Sequence, residues 1–353
     1  MKTILLGLAL AVIASCSSSY NYPDHIKIDG GKFHVQGIAY DTKEDCMYCS
    51  FTSTFYKTDT LGNIIGSVDG INGHLGAMTF HKESRKVYAS LECKDDVIGK
   101  SISDKLGKES YSRDESKFYV AEIDVDKITG MNMKFEDIIT LHEIKEAAED
   151  YLAKVVVDGQ EIDHRYACSG IDGVTIAPAF GPKGSEEQYL YVAYGVYGDV
   201  DRIDNEYNVL LCYKLDDITE PIHKYFVKTG NTTWGVQNLA YDSYTNKMFL
   251  AVYKGKKPQH PNYSLFAVDM TQVPFMAELE GVPYHEGEVE QVAVCGGWHF
   301  KWGSTGLCPM GDGYYYISEK TKVDGRQVCN AKLFKSGDFA VCPFERPWDE
   351  ESK

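Results

Sequence analysis

A weak motif recurs five times along this chain, and nothing else in the sequence constrains the fold as much. Each copy has a polar residue, usually followed by Gly, and then a short apolar run. The copies are Gln36-Gly37-Ile38-Ala39-Tyr40, His74-Leu75-Gly76-Ala77-Met78, Asp172-Gly173-Val174-Thr175-Ile176, Gln237-Asn238-Leu239-Ala240-Tyr241 and Thr305-Gly306-Leu307-Cys308. A second signature follows each: Met47-Tyr48-Cys49-Ser50, Val87-Tyr88-Ala89-Ser90, Leu190-Tyr191-Val192-Ala193, Met248-Phe249-Leu250-Ala251 and Tyr315-Tyr316-Ile317-Ser318. Paired strand signatures repeating at this scale predict an all-β radial array, a β-propeller of five blades. The stretch from Cys93 to Tyr166 is long enough to hold a sixth blade, and another all-β array is the remaining alternative.

Two further strands can be read in each repeat. Third strands run through Phe55 to Asp59, Phe118 to Asp124, Val209 to Asp216, Ser264 to Asp269 and Cys329 to Phe334. Fourth strands are placed at Ile64 to Val68, Ile138 to Leu141, His223 to Val227 and Gln291 to Cys295. His142 to Lys154 is rich in Glu, Ala, Lys and Leu and lacks Gly and Pro, which predicts a helical insertion in the second blade. Ring closure falls to Ile26 to Val35 pairing with the last blade, or to Phe339 to Cys342.

The chain opens with Lys2, an apolar run from Ile4 to Ala14, and then Ser15-Cys16, which is the form of a secretory signal. Val12-Ile13-Ala14-Ser15-Cys16 is similar to a bacterial lipobox, and that resemblance implies cleavage before Cys16 and lipidation of its thiol. Cleavage near Ser17 to Ser19 would instead release a secreted protein. The reading is thus a signal over 1–15, a polar tether over 16–23, one propeller domain over 24–346 and a polar tail over 347–353. A lipidated Cys16 would hold the domain at a membrane of the cell envelope, outside the cytoplasm.

The formal net charge of -16 argues against nucleic acid, which needs a basic face, but leaves room for a local basic pocket. Ten cysteines leave nine after Cys16, an odd number. Cys46 and Cys49 have CxxC spacing but lie in a strand signature. Residues three apart there face opposite sides, so burial as small hydrophobes is the simpler reading.

In a propeller the loops entering the inner strands share one face with the loops joining second and third strands. Insertions fall on that face, at Cys93 to Lys117, Gly195 to Tyr207, Gly255 to Tyr263 and Thr321 to Gln327. The opposite face has short turns. Gln36, His74, Asp172, Gln237 and Thr305 should ring the channel mouth on the loop-rich face, either binding a ligand or merely hydrating the channel. Trp234, Trp298 and Trp302, with Tyr194 and Tyr253, offer stacking surfaces, or else pack between blades. Glu92 and Glu319 end second strands on the same face, and with Asp172 could form a carboxylate pair of the kind that hydrolyses glycosides. Asp199, Asp201 and Asp204 lie in an acidic loop with oxygen ligands for Ca²⁺, although EF-hand spacing is absent.

The first repeat, from Gln36-Gly37-Ile38-Ala39-Tyr40-Asp41 through Met47-Tyr48-Cys49-Ser50 to Thr58-Asp59-Thr60-Leu61-Gly62, resembles blades of NHL and SMP-30-like propellers. The resemblance implies either a binding domain or a metal-dependent lactonase or esterase. Metal sites in those families use Glu, Asn and Asp on inner strands; the matching positions here carry Gln36, Asp172 and Gln237-Asn238, with no Glu. The leading expectation is a membrane-tethered propeller that binds a small molecule, glycan or protein on its loop-rich face. The alternatives are an extracytoplasmic hydrolase using Asp172 and His74, with Asp172 as a metal ligand, and an envelope scaffold.

Overall fold

The second signature accounts for the architecture side chain by side chain. Successive residues of a strand face opposite ways, so a strand with no polar break must bury both faces. In Cys46–Ser50, Cys46 and Tyr48 enter one core while Met47 and Cys49 enter another. The aromatic of every copy behaves alike: Tyr48, Tyr88, Tyr191, Phe249 and Tyr316 each face the core shared with the following sheet. Five sheets packed in this way close into a ring with one core at each interface. The computed structural model, which describes residues 22–182 and 187–346, is therefore a five-bladed β-propeller. The signal segment, Cys16 and the 347–353 tail lie outside the described residues.

The first blade runs Gly37–Asp41, Cys46–Ser50, Phe55–Asp59 and Ile64–Asp69 from the axis outward. The second is His74–His81, Lys86–Cys93, Lys117–Asp124 and Ile139–Glu143. The third is Cys168–Pro178, Gln188–Val196, Tyr207–Lys214 and His223–Lys228, and the fourth is Thr232–Asp242, Lys247–Lys254, Leu265–Asp269 and Val294–Trp298. In the fifth, Leu307–Pro309, Tyr314–Val323 and Arg326–Ser336 are completed by His25–Gly31 from the chain's start. That strand pairs antiparallel, Ile26 opposite Ala331 and Ile28 opposite Cys329, so the ring closes through the earlier of the two expected segments. Inner strands approach closely near the axis. A Cβ at Gly37 would lie 2.8 Å from the Ala77 Cα, and one at Gly173 would lie 2.8 Å from the Leu239 Cβ.

Three expectations change in detail. The segment from Cys93 to Tyr166 forms no sixth blade: besides second-blade strands it holds helices and the hairpin Lys154–Val157 with Gln160–Asp163. The helix read over His142 to Lys154 spans only Lys145–Leu152 and follows the outermost strand of the second blade, while a different helix, Val97–Leu106, occupies the insertion inside that blade. The fourth blade's outer strand is Val294–Trp298, later than expected, because Glu288–Gln291 pairs parallel with His223–Lys228 of the third blade. Cys46 and Cys49 lie in different cores, and the nine described cysteines are free thiols. Among the described residues no helix is long and apolar enough to cross a membrane.

Candidate functional site

Three of the inner strands carry an irregularity at the same height. Between Leu75 and Met78, between Ile171 and Val174, and between Val236 and Asn238, the inner strand spends one more residue than its partner. Such bulges re-aim a side chain. They fall beside His74, Asp172 and Gln237, at the ends of the strands that open on the loop-rich face. Trp234, at φ 62, and Gly235, at φ 64, continue the irregularity, which turns the Trp234 carbonyl onto the Gln237 amide at 2.8 Å. A left-handed tryptophan costs roughly 1–3 kcal/mol and persists only where its surroundings impose it.

A cavity of about 590 Å³ opens at this mouth, within the size range of small-molecule sites. Its floor holds His74, Asp172, Glu92, Lys94, Gln36 and Gln237. Glu92 is almost fully buried. Its Oε1 accepts from the Ile171 backbone N–H at 2.9 Å; its Oε2 lies 2.9 Å from the Lys94 Nζ and 3.3 Å from the His74 Nδ1. Gly170, at φ 118, makes room for that carboxylate: a Cβ there would sit 2.1 Å from Oε1. Lys94 also donates to the Ser169 carbonyl at 2.8 Å and lies 3.5 Å from the Asp96 Oδ2. Asp96 caps the helix Val97–Leu106 by accepting from the Gly99 N–H at 2.9 Å. Asp172 accepts from the Gln237 amide at 2.8 Å, and its other oxygen is 3.9 Å from the His74 Nδ1. Gln36 meets His34 at 3.0 Å, and the Asn238 amide ties the Gln36 and Ser304 carbonyls together across the axis at 3.0 and 3.1 Å.

Burial and then the neighbouring Glu92 charge push the Asp172 carboxyl well above the ordinary carboxylate range, only partly opposed by Lys94 and Gln237. Burial works to lower the Lys94 pKa, but Glu92, Asp96 and Asp172 more than reverse this, so its ammonium stays charged. The floor therefore sets Glu92 against Lys94, while burial favours the neutral form of the Asp172 carboxyl.

One ligand atom from each of His74, Glu92 and Asp172 lies within 4.8 Å of the others, a grouping that could hold a cation among the described residues. An imidazole and two carboxylates suit zinc better than calcium, which takes six to eight oxygens. The Lys94 ammonium, already on Glu92, competes with either.

Seven of the residues read from sequence as ligand contacts line this cavity: Gln36, His74, Glu92, Asp172, Trp234, Gln237 and Tyr253. Five lie elsewhere. Trp298 is buried in the core between the fourth and fifth blades, its indole N–H donating to the Phe339 carbonyl at 3.0 Å. Thr305 is buried against the Ser318 hydroxyl at 3.0 Å inside the fifth blade. Tyr194 is buried between the second and third blades, donating to Asp150 at 2.8 Å. Trp302 packs on the core between the fourth and fifth blades under Lys301, and Glu319 pairs with Lys332 at 2.7 Å. In the acidic loop Asp199 and Asp201 are exposed, whereas Asp204 turns inward to Arg202 and accepts from the Tyr284 hydroxyl at 2.6 Å; the three form no metal-ligating cluster among the described residues.

Lys94 and His34 were missed: Lys94 lies one residue past the strand Lys86–Cys93 and His34 lies in the irregular segment before Gly37–Asp41, so no periodic pattern marks either. The opposite mouth holds a smaller cavity, about 290 Å³, among the short turns.

No family model matches the chain, and no curated protein does. Among solved structures 409 chains are similar. One is the crystal structure of the computationally designed Ika4 protein, 11% identical, with 65% of this chain aligned to 91% of that one at a TM-score of 0.26. A likeness at that level carries no argument about function.

Proposed function

We propose that this chain is an envelope-tethered ligand-binding propeller whose ligand occupies the 590 Å³ cavity at the loop-rich mouth. One observation carries the reading: buried polar groups from three blades converge on the floor of an open cavity with aromatic walls. Glu92, Lys94, Asp172 and Gln237 are costly to bury and are held by bonds to one another, yet they face a space that packing leaves unfilled. Lipidation of Cys16 is part of the proposal and rests on the lipobox-like run.

The test is a thermal-shift screen of small molecules against the wild type and Trp234→Ala. Stabilising compounds should lose their effect in the variant. Compounds that stabilise both proteins equally would contradict the cavity as the site.

A second reading, a metal-dependent hydrolase of the kind the NHL and SMP-30 likeness implies, is favoured by the 4.8 Å clustering of His74, Glu92 and Asp172. Addition of Zn²⁺ or Ca²⁺ would then raise the wild-type melting temperature and leave Asp172→Asn unmoved. No response in either protein leaves the binding reading alone.

A further inference from the structure

From the rim of this cavity we infer that its ligand is an amphipathic anion: a planar or apolar body carrying a carboxylate, sulfate, sulfonate or phosphate. The inference rests on the cavity being the ligand site and goes further by naming what enters it. Two lysines stand at the rim, Lys105 at the end of the helix Val97–Leu106 and Lys320 on the second strand of the fifth blade. Each leans on an aromatic ring: the Lys105 Nζ is 5.4 Å from the Phe33 ring and the Lys320 Nζ is 5.2 Å from the Tyr253 ring. Neither has a carboxylate partner among the described residues. Lys320 also donates to the Tyr253 hydroxyl at 3.3 Å. In a chain of net charge -16, with acids outnumbering bases 52 to 36, two ammoniums without a carboxylate partner over one cavity mark a local reversal of sign.

The field is felt further in. His34, beside the rim, is pushed down to about 4, first by burial and then by Lys320, His74, Lys105 and Lys322. On the floor the Glu92 carboxylate is met by the Lys94 ammonium at 2.9 Å, and Asp172 is engaged by the Gln237 amide at 2.8 Å. The walls supply the apolar half. Val97 is 82% exposed although it lines the cavity, and Ile98, Trp234 and Tyr253 continue the surface. An exposed apolar wall under a cationic rim suits a ligand with its charge at the mouth and its body inward, its polar groups reaching Gln36 and Gln237.

Two fluorescent probes that differ chiefly in charge make the test: 1-anilinonaphthalene-8-sulfonate and the uncharged N-phenyl-1-naphthylamine. Both are titrated into the wild type, a Lys105→Gln/Lys320→Gln double variant and Trp234→Ala. The wild type should bind the sulfonate at one saturable site about tenfold more tightly than the neutral dye. The double variant should lose that preference while its affinity for the neutral dye holds. Equal affinities in the wild type, or a preference that survives in the double variant, would overturn the anionic assignment while leaving the cavity as a binding site. Binding of both dyes that ignores Trp234→Ala would remove the cavity itself.

Discussion

The floor of the cavity turns on two residues whose charges the fold sets in opposite directions. Asp172 has its carboxyl pKa raised by burial and by Glu92, so it binds its proton more tightly folded than unfolded. Its contribution to stability is full below the unfolded carboxylate pKa and is lost as pH rises through the raised folded value. Asp172→Asn removes that loss. The variant should match the wild type near pH 4 and melt above it at pH 8, by roughly 2–4 °C for each kcal/mol of desolvation relieved. Thermal melts across this range check the sign; a variant less stable at pH 8 would mean that an ionised Asp172 is required, as a bound cation would demand. Lys94 is the opposite case. Lys94→Met leaves Glu92 buried without its cation and should cost about 3–5 kcal/mol in denaturant unfolding. Adding Glu92→Gln should restore most of it, since the carboxylate is what the ammonium neutralises.

At the scale of strands, the chain shows in its sequence what is periodic and hides what is long-range. The aromatic of each second signature was legible because alternation forces Tyr48 and its equivalents into the following interface. His74, Asp172 and Gln237 on inner strands, and Gln36 just before one, were legible because each opens a copy of the recurring motif. The bulges that aim three of them were not, because an added residue shows only against its partner strand. Glu288–Gln291 joined the third blade instead of the fourth, a pairing between distant segments that no local pattern signals. Thr305 falls in the turn just before the inner strand Leu307–Pro309, and its hydroxyl is taken up by the Ser318 hydroxyl thirteen residues on. Ring closure by His25–Gly31 has its own test. The strand alternates exposed and buried, with Ile28 in the core between the fifth and first blades and Lys27 outside. Ile28→Ala should cost about 2–5 kcal/mol, and Lys27→Ala should stay within about 0.5 kcal/mol. Equal effects in equilibrium unfolding would mean the strand contributes little to closing the ring.

At the scale of the whole molecule, five rigid interfaces hold two unlike mouths. One is lined by insertions, cations and aromatics, the other by the short turns after Asp41, His81 and Asp242. If the chain is tethered as proposed, the mature N-terminus should be an acylated Cys16; mass spectrometry that finds the terminus unmodified, or beginning after Cys16, would end that idea. On the proposed function, binding belongs to the loop-rich mouth alone, and hydrogen–deuterium exchange with and without 1-anilinonaphthalene-8-sulfonate would locate it. Exchange should slow in residues 33–36, 92–106, 170–174 and 233–237, and stay unchanged in the turns at 41–46, 81–86 and 242–247. Protection centred on those turns, or spread equally over both mouths, would contradict it.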